Sequence, residues 1–228
     1  MHVPDGFLDA PTSVATGVVA AAAVGVALKG ARRELDDRTA PMAGLVATFI
    51  FAGQMINFPV GAGTSGHLLG GALAAILVGP FTACLCLSAV LIVQALLMAD
   101  GGVTALGTNI TLMAVVAVVA SWAVFHGLRR VLPSRPGLVA PLAGVAAFLS
   151  VPAAAAVFTL LFGIGGVAPV DTGDVLTAML GWHTVIGVGE AVITALVVGA
   201  VMTTRPDLVH GARDLAAATE LEIRKVPA

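Results

Sequence analysis

No lysine or arginine occurs between residues 39 and 128, and none occurs between 136 and 204. Both intervals are dominated by Ala, Val, Leu and Gly. Their apolar runs approach the ~20 residues that an α-helix needs to cross a bilayer core. The 228-residue chain is 58% hydrophobic and 11% charged, whereas an ordinary soluble domain is roughly a quarter charged. So little charge cannot clothe a water-soluble globule, and so much hydrophobicity excludes a disordered chain. The 27 glycines follow no three-residue period, which excludes a collagen-like chain. Hydrocarbon offers no partners to a backbone, so every N–H and C=O must be satisfied internally. An all-α membrane protein is therefore expected.

The apolar runs predict seven spans, near 12–29, 40–57, 67–79, 82–98, 105–126, 138–162 and 178–202. The third is the shortest, about 20 Å at 1.5 Å per residue, and reads as a thin or tilted span or a re-entrant segment. The cations test this count. Lys29, Arg32, Arg33, Arg38, Arg129, Arg130, Arg135, Arg205, Arg213, Arg224 and Lys225 follow spans one, five and seven and occur nowhere else. Seven crossings from an outside N-terminus put all three segments in the cytoplasm, as the positive-inside rule requires. Reading 67–98 as one span or three would put Arg129 and Arg130 on the wrong side. The expectation is a seven-transmembrane helix bundle with its N-terminus outside and its C-terminus cytoplasmic. One transmembrane domain covers 1–203, beginning with an external segment 1–11, and a short polar tail covers 204–228.

Asp5 and Asp9 stand where a signal peptide would be basic, so the first residues are expected to stay on the mature protein. His2 is too large to permit removal of the initiator methionine. Cys84 and Cys86 lie two apart in one apolar run and suggest neither a disulfide framework nor a zinc site.

Chemistry gathers on the outer side. In the opening Met1-His2-Val3-Pro4-Asp5-Gly6-Phe7-Leu8, Pro4 disfavours helix at Val3 and Gly6 allows a turn. These residues can fold back over the outer face of the bundle. A Gly- and Pro-rich loop from Asn57 leads to His67 at the outer end of span three. A free terminal amine, the amide nitrogen of residue 2 and the His2 imidazole can chelate one ion in fused five- and six-membered rings, nearly in a plane. His67 would complete a square, a geometry suited to Ni2+ or Cu2+, with Co2+ possible. Zn2+ prefers a tetrahedron. Every donor must first lose its proton, so binding should weaken in acid. The blander reading is an accidental His at position 2 and a His67 that merely neighbours a helix start.

Glu190 lies near the middle of span seven, with His183 seven residues earlier on the same helical face. Either could steady the metal donors from behind or simply pack as a hydrogen-bonded group inside the bundle. Gln94, Asn57 and Asn109 read as helix or loop hydrogen-bonding groups. Asp100 and Asp171 are outer acids, able to attract cations or simply solvated. His126 and His210 fall on the cytoplasmic side and carry no site. Ala43-x-x-x-Ala47, Gly66-x-x-x-Gly70 and the Ala20–Ala23 run permit close helix approach. No Gly-x-x-x-x-Gly-Lys-Ser/Thr loop occurs, so ATP is not expected to bind by that device.

Met-His-Val-Pro-Asp-Gly-Phe-Leu resembles the Met-His-hydrophobic-x-x-Gly-Phe-Leu opening of the CbiM/NikM family. These proteins are the substrate-binding S components of energy-coupling-factor (ECF) transporters for cobalt and nickel. The resemblance continues through Gly-Thr-Ser-Gly-His67-Leu-Leu-Gly-Gly and Ile-Gly-Val-Gly-Glu190-Ala-Val-Ile-Thr, and covers 1–203. It implies a metal held by the Met1 amine, the His2 amide and imidazole nitrogens, and His67. It implies a transporter subunit and not an enzyme, set in a prokaryotic cell membrane, with Ni2+ or Co2+ as its transported substrate. CbiM-type relatives serve cobalt uptake for cobalamin synthesis. The family's partners are a transmembrane coupling subunit and two separate ATPase subunits, with or without a small accessory membrane subunit. The S component delivers its ion by reorienting while docked. Ala43 and Ala47 are candidates for the coupling-subunit contact, with internal packing as the other reading.

Two alternatives remain open at this level. A stand-alone metal permease would use the same ligands without ATPases. A rhomboid-like intramembrane serine protease would use Gly63-Thr64-Ser65-Gly66 with His183 as base. Against the protease, Ser65 lies at the rim, and His67 is followed four residues later by Gly71 where that chemistry would want Asn.

Overall fold

The computed structural model of the chain describes residues 1–37 and 39–215. Arg38 and residues 216–228 lie outside the described residues, and with them Arg224, Lys225 and most of the expected tail. Seven helices follow in order: α1 Ala10–Glu34, α2 Thr39–Gln54, α3 Gly71–Val78, α4 Pro80–Leu97, α5 Leu106–Val131, α6 Pro136–Gly165 and α7 Thr172–Thr204. An antiparallel hairpin, β1 Phe58–Gly61 with β2 Thr64–Gly66, stands between α2 and α3. Two single 3-10 turns, Pro206–Leu208 and His210–Ala212, follow α7.

Among the described residues, five helices, α1, α4, α5, α6 and α7, are long and apolar enough to cross a membrane. α2 is apolar but has 16 residues. The expected span 67–79 shrinks to the eight residues of α3, all of them buried. At 1.5 Å per residue α3 rises about 12 Å, too little for a ~30 Å hydrocarbon core. It is a half-helix enclosed by its neighbours, and its apolar composition reflects protein contact and not lipid.

The chain reverses at Gly79-Pro80. Gly79 has φ +95° and Pro80 opens α4, where a missing N–H costs nothing. The Glu34 carboxylate closes the same corner. It accepts from the amides of Phe81 (3.2 Å) and Thr82 (2.7 Å) and from the Thr82 hydroxyl (2.8 Å). A carboxylate at a helix N-terminus is also favoured by the helix dipole.

Small residues bring α1 and α5 together. A Cβ on Gly107 would collide with the backbone of Gly17. The close approach lets Thr16 and Thr108 share a hydroxyl hydrogen bond of 2.7 Å. Immediately afterwards α5 passes through a π-helical stretch, Ile110–Val116. The other small-residue motifs fare differently. Gly66 belongs to β2 and Gly70 has φ +79°, so Gly66-x-x-x-Gly70 forms no helical stripe. Ala43 is buried, and its carbonyl accepts from the Cys86 thiol at 3.5 Å. It therefore packs internally against α4, while Ala47 is half-buried.

The two ends of the bundle are distinct. At one end the N-terminal segment, the hairpin and the α4–α5 and α6–α7 loops meet. At the other, Arg129 donates to the Gly211 carbonyl and binds Asp214 (2.8 Å), and Arg213 donates to the Glu34 carbonyl oxygen (2.9 Å). The arginine-bearing ends of α1 and α5 and the segment after α7 thus converge.

Candidate metal centre

The chain enters the bundle by its first residue. Asp9 caps α1 by accepting from the Thr12 amide at 2.9 Å. Leu8 bridges Gly166, with Asp9 N donating to the Gly165 carbonyl at 2.7 Å. Phe7 sits against Phe158 and Phe162, with ring centroids 5.8 and 4.9 Å away. Asp5 accepts from the amide and hydroxyl of Thr104 (2.8 and 2.5 Å). Val3 is clamped by one side chain. Its amide donates to Asn109 Oδ1 (2.7 Å), and its carbonyl accepts from Asn109 Nδ2 (3.1 Å) and from the Gly102 amide (2.9 Å). Met1 and His2 are thereby carried inward, and both are buried.

His2 and His67 meet there, with ring centroids 4.5 Å apart. The terminal amine donates to Ser65 Oγ at 3.4 Å. His2 Nε2 lies 3.1 Å from Gln94 Oε1, and its Nδ1 lies 3.2 Å from Asp100 Oδ1 without hydrogen-bond geometry. With the Gln94 oxygen turned to it, His2 donates through Nε2, because a carbonyl oxygen only accepts. His67 Nδ1 donates to the Leu68 carbonyl at 2.8 Å, which leaves Nε2 unprotonated. Among the described residues, His2 Nδ1 and His67 Nε2 have no hydrogen-bond partner, and both are buried. Two unpaired imidazole lone pairs in one enclosed place are costly unless something binds them.

Electrostatics keep the other donors ready. Burial pulls the terminal amine from 8.0 down to about 4, opposed by the charge of Asp100. Burial, followed by the charge of the amine, lowers His2 from 6.5 to about 4. Among the described residues, no three His, Cys, Asp or Glu side chains converge as a metal-binding group. The donors brought together are main-chain and imidazole nitrogens. A cavity of about 420 Å³, lined by His2, Asn57, Thr64, Ser65 and Asp100, opens beside them. Gly101 is needed at its edge, because a Cβ there would stand 3.0 Å from His2 Cδ2 and its φ is +87°.

His183 and Glu190 face inward from α7, both buried. His183 Nδ1 donates to the Met179 carbonyl at 2.9 Å, and its Nε2 has no hydrogen-bond partner. Glu190 accepts from the amides of Leu69 and Gly70, each at 2.8 Å. Those amides close the irregular stretch between His67 and α3, so Glu190 holds the loop that presents His67. Such non-helical backbone survives inside a membrane protein only when its polar groups are satisfied in this way.

The serine-protease reading lacks its essential pair. Ser65 is engaged with the terminal amine, and His183 Nε2 has no hydrogen-bond partner among the described residues. Gln94, Asn109 and Asp100 were legible only as generic polar groups; a polar side chain in or beside an apolar helix was their signal. Asp100 is also no solvated loop acid, because its side chain is 15% exposed.

The chain matches the CbiM family, described as the cobalt uptake substrate-specific transmembrane region, over residues 2–208. A Haloquadratum walsbyi protein named for metal transport is 39% identical over 209 residues, 92% of this chain and 93% of that one. The fused nickel transport protein NikMN of Rhodobacter capsulatus is 32% identical, over 95% of this chain and 66% of its own. The cobalt transport protein CbiM of Sorangium cellulosum is 32% identical, over 91% and 94%. A crystal structure of a truncated transition metal transporter superposes with a TM-score of 0.82 at 29% identity, covering 89% of this chain and 99% of that one.

Proposed function

The chain belongs to the CbiM family of cobalt and nickel transport proteins, as a multi-pass membrane component, and on that premise we propose that it captures Ni2+ or Co2+ through its own N-terminus. The ligands are the Met1 amine, the His2 amide nitrogen and Nδ1, and His67 Nε2. The observation that carries this reading is the pair of unpartnered nitrogens on two rings 4.5 Å apart, beside a buried terminal amine. His2 Nδ1 is the ring atom that closes a six-membered chelate with its own amide nitrogen. Four nitrogens in a square favour Ni2+ over Zn2+.

The protein acts as the S component of an ECF transporter, with seven crossings, the metal centre outside and the arginine-rich end in the cytoplasm. α2 and α3 complete the crossings only together with their loops, α3 as a half-span. A coupling membrane subunit and two ATPase subunits supply the energy, and Ala47 remains a candidate contact for the former.

The decisive experiment uses protein with an untouched N-terminus and a version with one alanine added before Met1. Both are titrated with Ni2+ and Co2+ by calorimetry. The native form is expected to bind one ion, and the extended form to lose most of its affinity. The tighter ion is then the substrate. Equal binding by both forms would remove the terminal chelate from consideration.

A further inference from the structure

Asp100 follows α4 in a turn where Ala99 has φ +52° and Gly101 φ +87°. Its amide donates to the Gln94 carbonyl at 3.0 Å, and its Oδ2 accepts from Asn57 Nδ2 at 2.8 Å. Its other oxygen, Oδ1, faces His2 Nδ1 across 3.2 Å. With the His2 proton held on Nε2 by Gln94, that approach sets a lone pair against a carboxylate. A cation held at His2 Nδ1 would therefore lie against this carboxylate. Asp100 also lines the cavity through which an ion would reach His2, and its charge acts on the terminal amine as well as on the imidazole.

The charge count makes the same point. The chelate proposed above binds a divalent ion through one deprotonated amide and three neutral nitrogens, so it carries a net charge of +1. An unbalanced charge in a buried site is heavily penalised. One carboxylate brings the total to zero.

We propose that Asp100 is the capture and charge-balancing carboxylate of this site, drawing the divalent ion into the cavity and neutralising the closed chelate. The inference rests on the terminal chelate. It adds a discrimination that the nitrogens alone do not provide. A divalent ion unable to displace the amide proton leaves the buried group at +1, whereas one that displaces it leaves the group neutral.

The test compares full-length wild type, Asp100→Asn and Asp100→Glu, all with a free N-terminus, titrated with NiCl2. Binding is followed by calorimetry, by the visible absorption of square-planar nickel, and by stopped-flow mixing at low and high salt. Asp100→Asn is expected to reach the wild-type spectrum at saturation. Its Kd should weaken about 10–100-fold, the range for outer groups that support a metal site. Its pH midpoint for binding should move upward, and its association rate should lose its salt dependence. Asp100→Glu should restore most of the affinity. If Asp100→Asn matches wild type in Kd, pH midpoint and salt dependence, the proposal is overturned and the chelate stands. If Asp100→Asn cannot reach the square-planar spectrum and Asp100→Glu does not restore it, the residue is structural and the proposal also fails. A wild-type protein that never develops that spectrum would overturn the chelate, and this proposal with it.

Discussion

The Met1 amine and the His2 imidazole are neutral at neutral pH, because burial holds both near 4. In an unfolded chain the amine titrates near 8.0 and the imidazole near 6.5. Between those values and 4 the unfolded chain binds protons that the folded one refuses, so stability rises with pH across this window. The metal-free protein should therefore melt at lower temperature at pH 5.5 than at pH 8, as thermal unfolding in detergent would show; an inverse trend would contradict the buried neutral amine. The same depression governs proton release. At pH 7 a free Met-His-Val peptide should give up about two protons per nickel bound, and the folded protein about one, from the amide alone. Calorimetry in buffers of different ionisation enthalpy measures that difference. Asn109 supplies a second test. Asn109→Ala strips Val3 of its partner at the buried amide and removes one of two at its carbonyl, at roughly 1–3 kcal/mol for each group left unsatisfied. Nickel affinity should fall at least tenfold, because His2 is one residue away. Asn109→Asp, which keeps the acceptor, should fall in between.

The stretch from His67 to α3 depends on α7. Glu190→Ala would orphan the buried amides of Leu69 and Gly70, and should lower stability by about 2–6 kcal/mol. Glu190→Gln, with an acceptor on one side only, should cost less. Differential melting of the two variants checks the ordering, and equal melting would deny the carboxylate its capping role. This element also shows what the sequence could and could not reveal. Long apolar runs and the placement of arginines are imposed by bilayer thickness and charge, so the major helices were legible from hydropathy. α3 was legible only as a short span or a re-entrant segment, because a half-helix walled in by protein is as apolar as one facing lipid. The Glu190 partners are backbone amides, which have no residue signature. The proposed donors Met1, His2 and His67 were named from the Met-His opening and the Gly-Thr-Ser-Gly-His loop, and the fold brings the two imidazoles together. What steadies them was hidden, since Gln94 and Asn109 reach His2 and Val3 only through the tertiary path of the chain.

At the scale of the molecule, the proposed metal centre and the arginine-rich end share no residue. Arg129 ties α5 to Gly211 and Asp214, and Asp214 is 62% exposed. Arg129→Ala should therefore lower stability by only roughly 1–2 kcal/mol and leave the nickel Kd unchanged. Paired melting and titration curves would show whether the two ends are separable, and a weakened Kd would reveal coupling between them.

The buried first residue sets an order of assembly. Met1 leaves the ribosome before every group that receives it. Ser65 follows 64 residues later, Asn109, which clamps Val3, 106 residues after Val3, and Gly166, which pairs with Leu8, later still. The opening segment must wait unseated while α1 to α5 are made and inserted. The opening residues are then among the last to find their place, because Gly166, which seats Leu8, stands well past the middle of the chain.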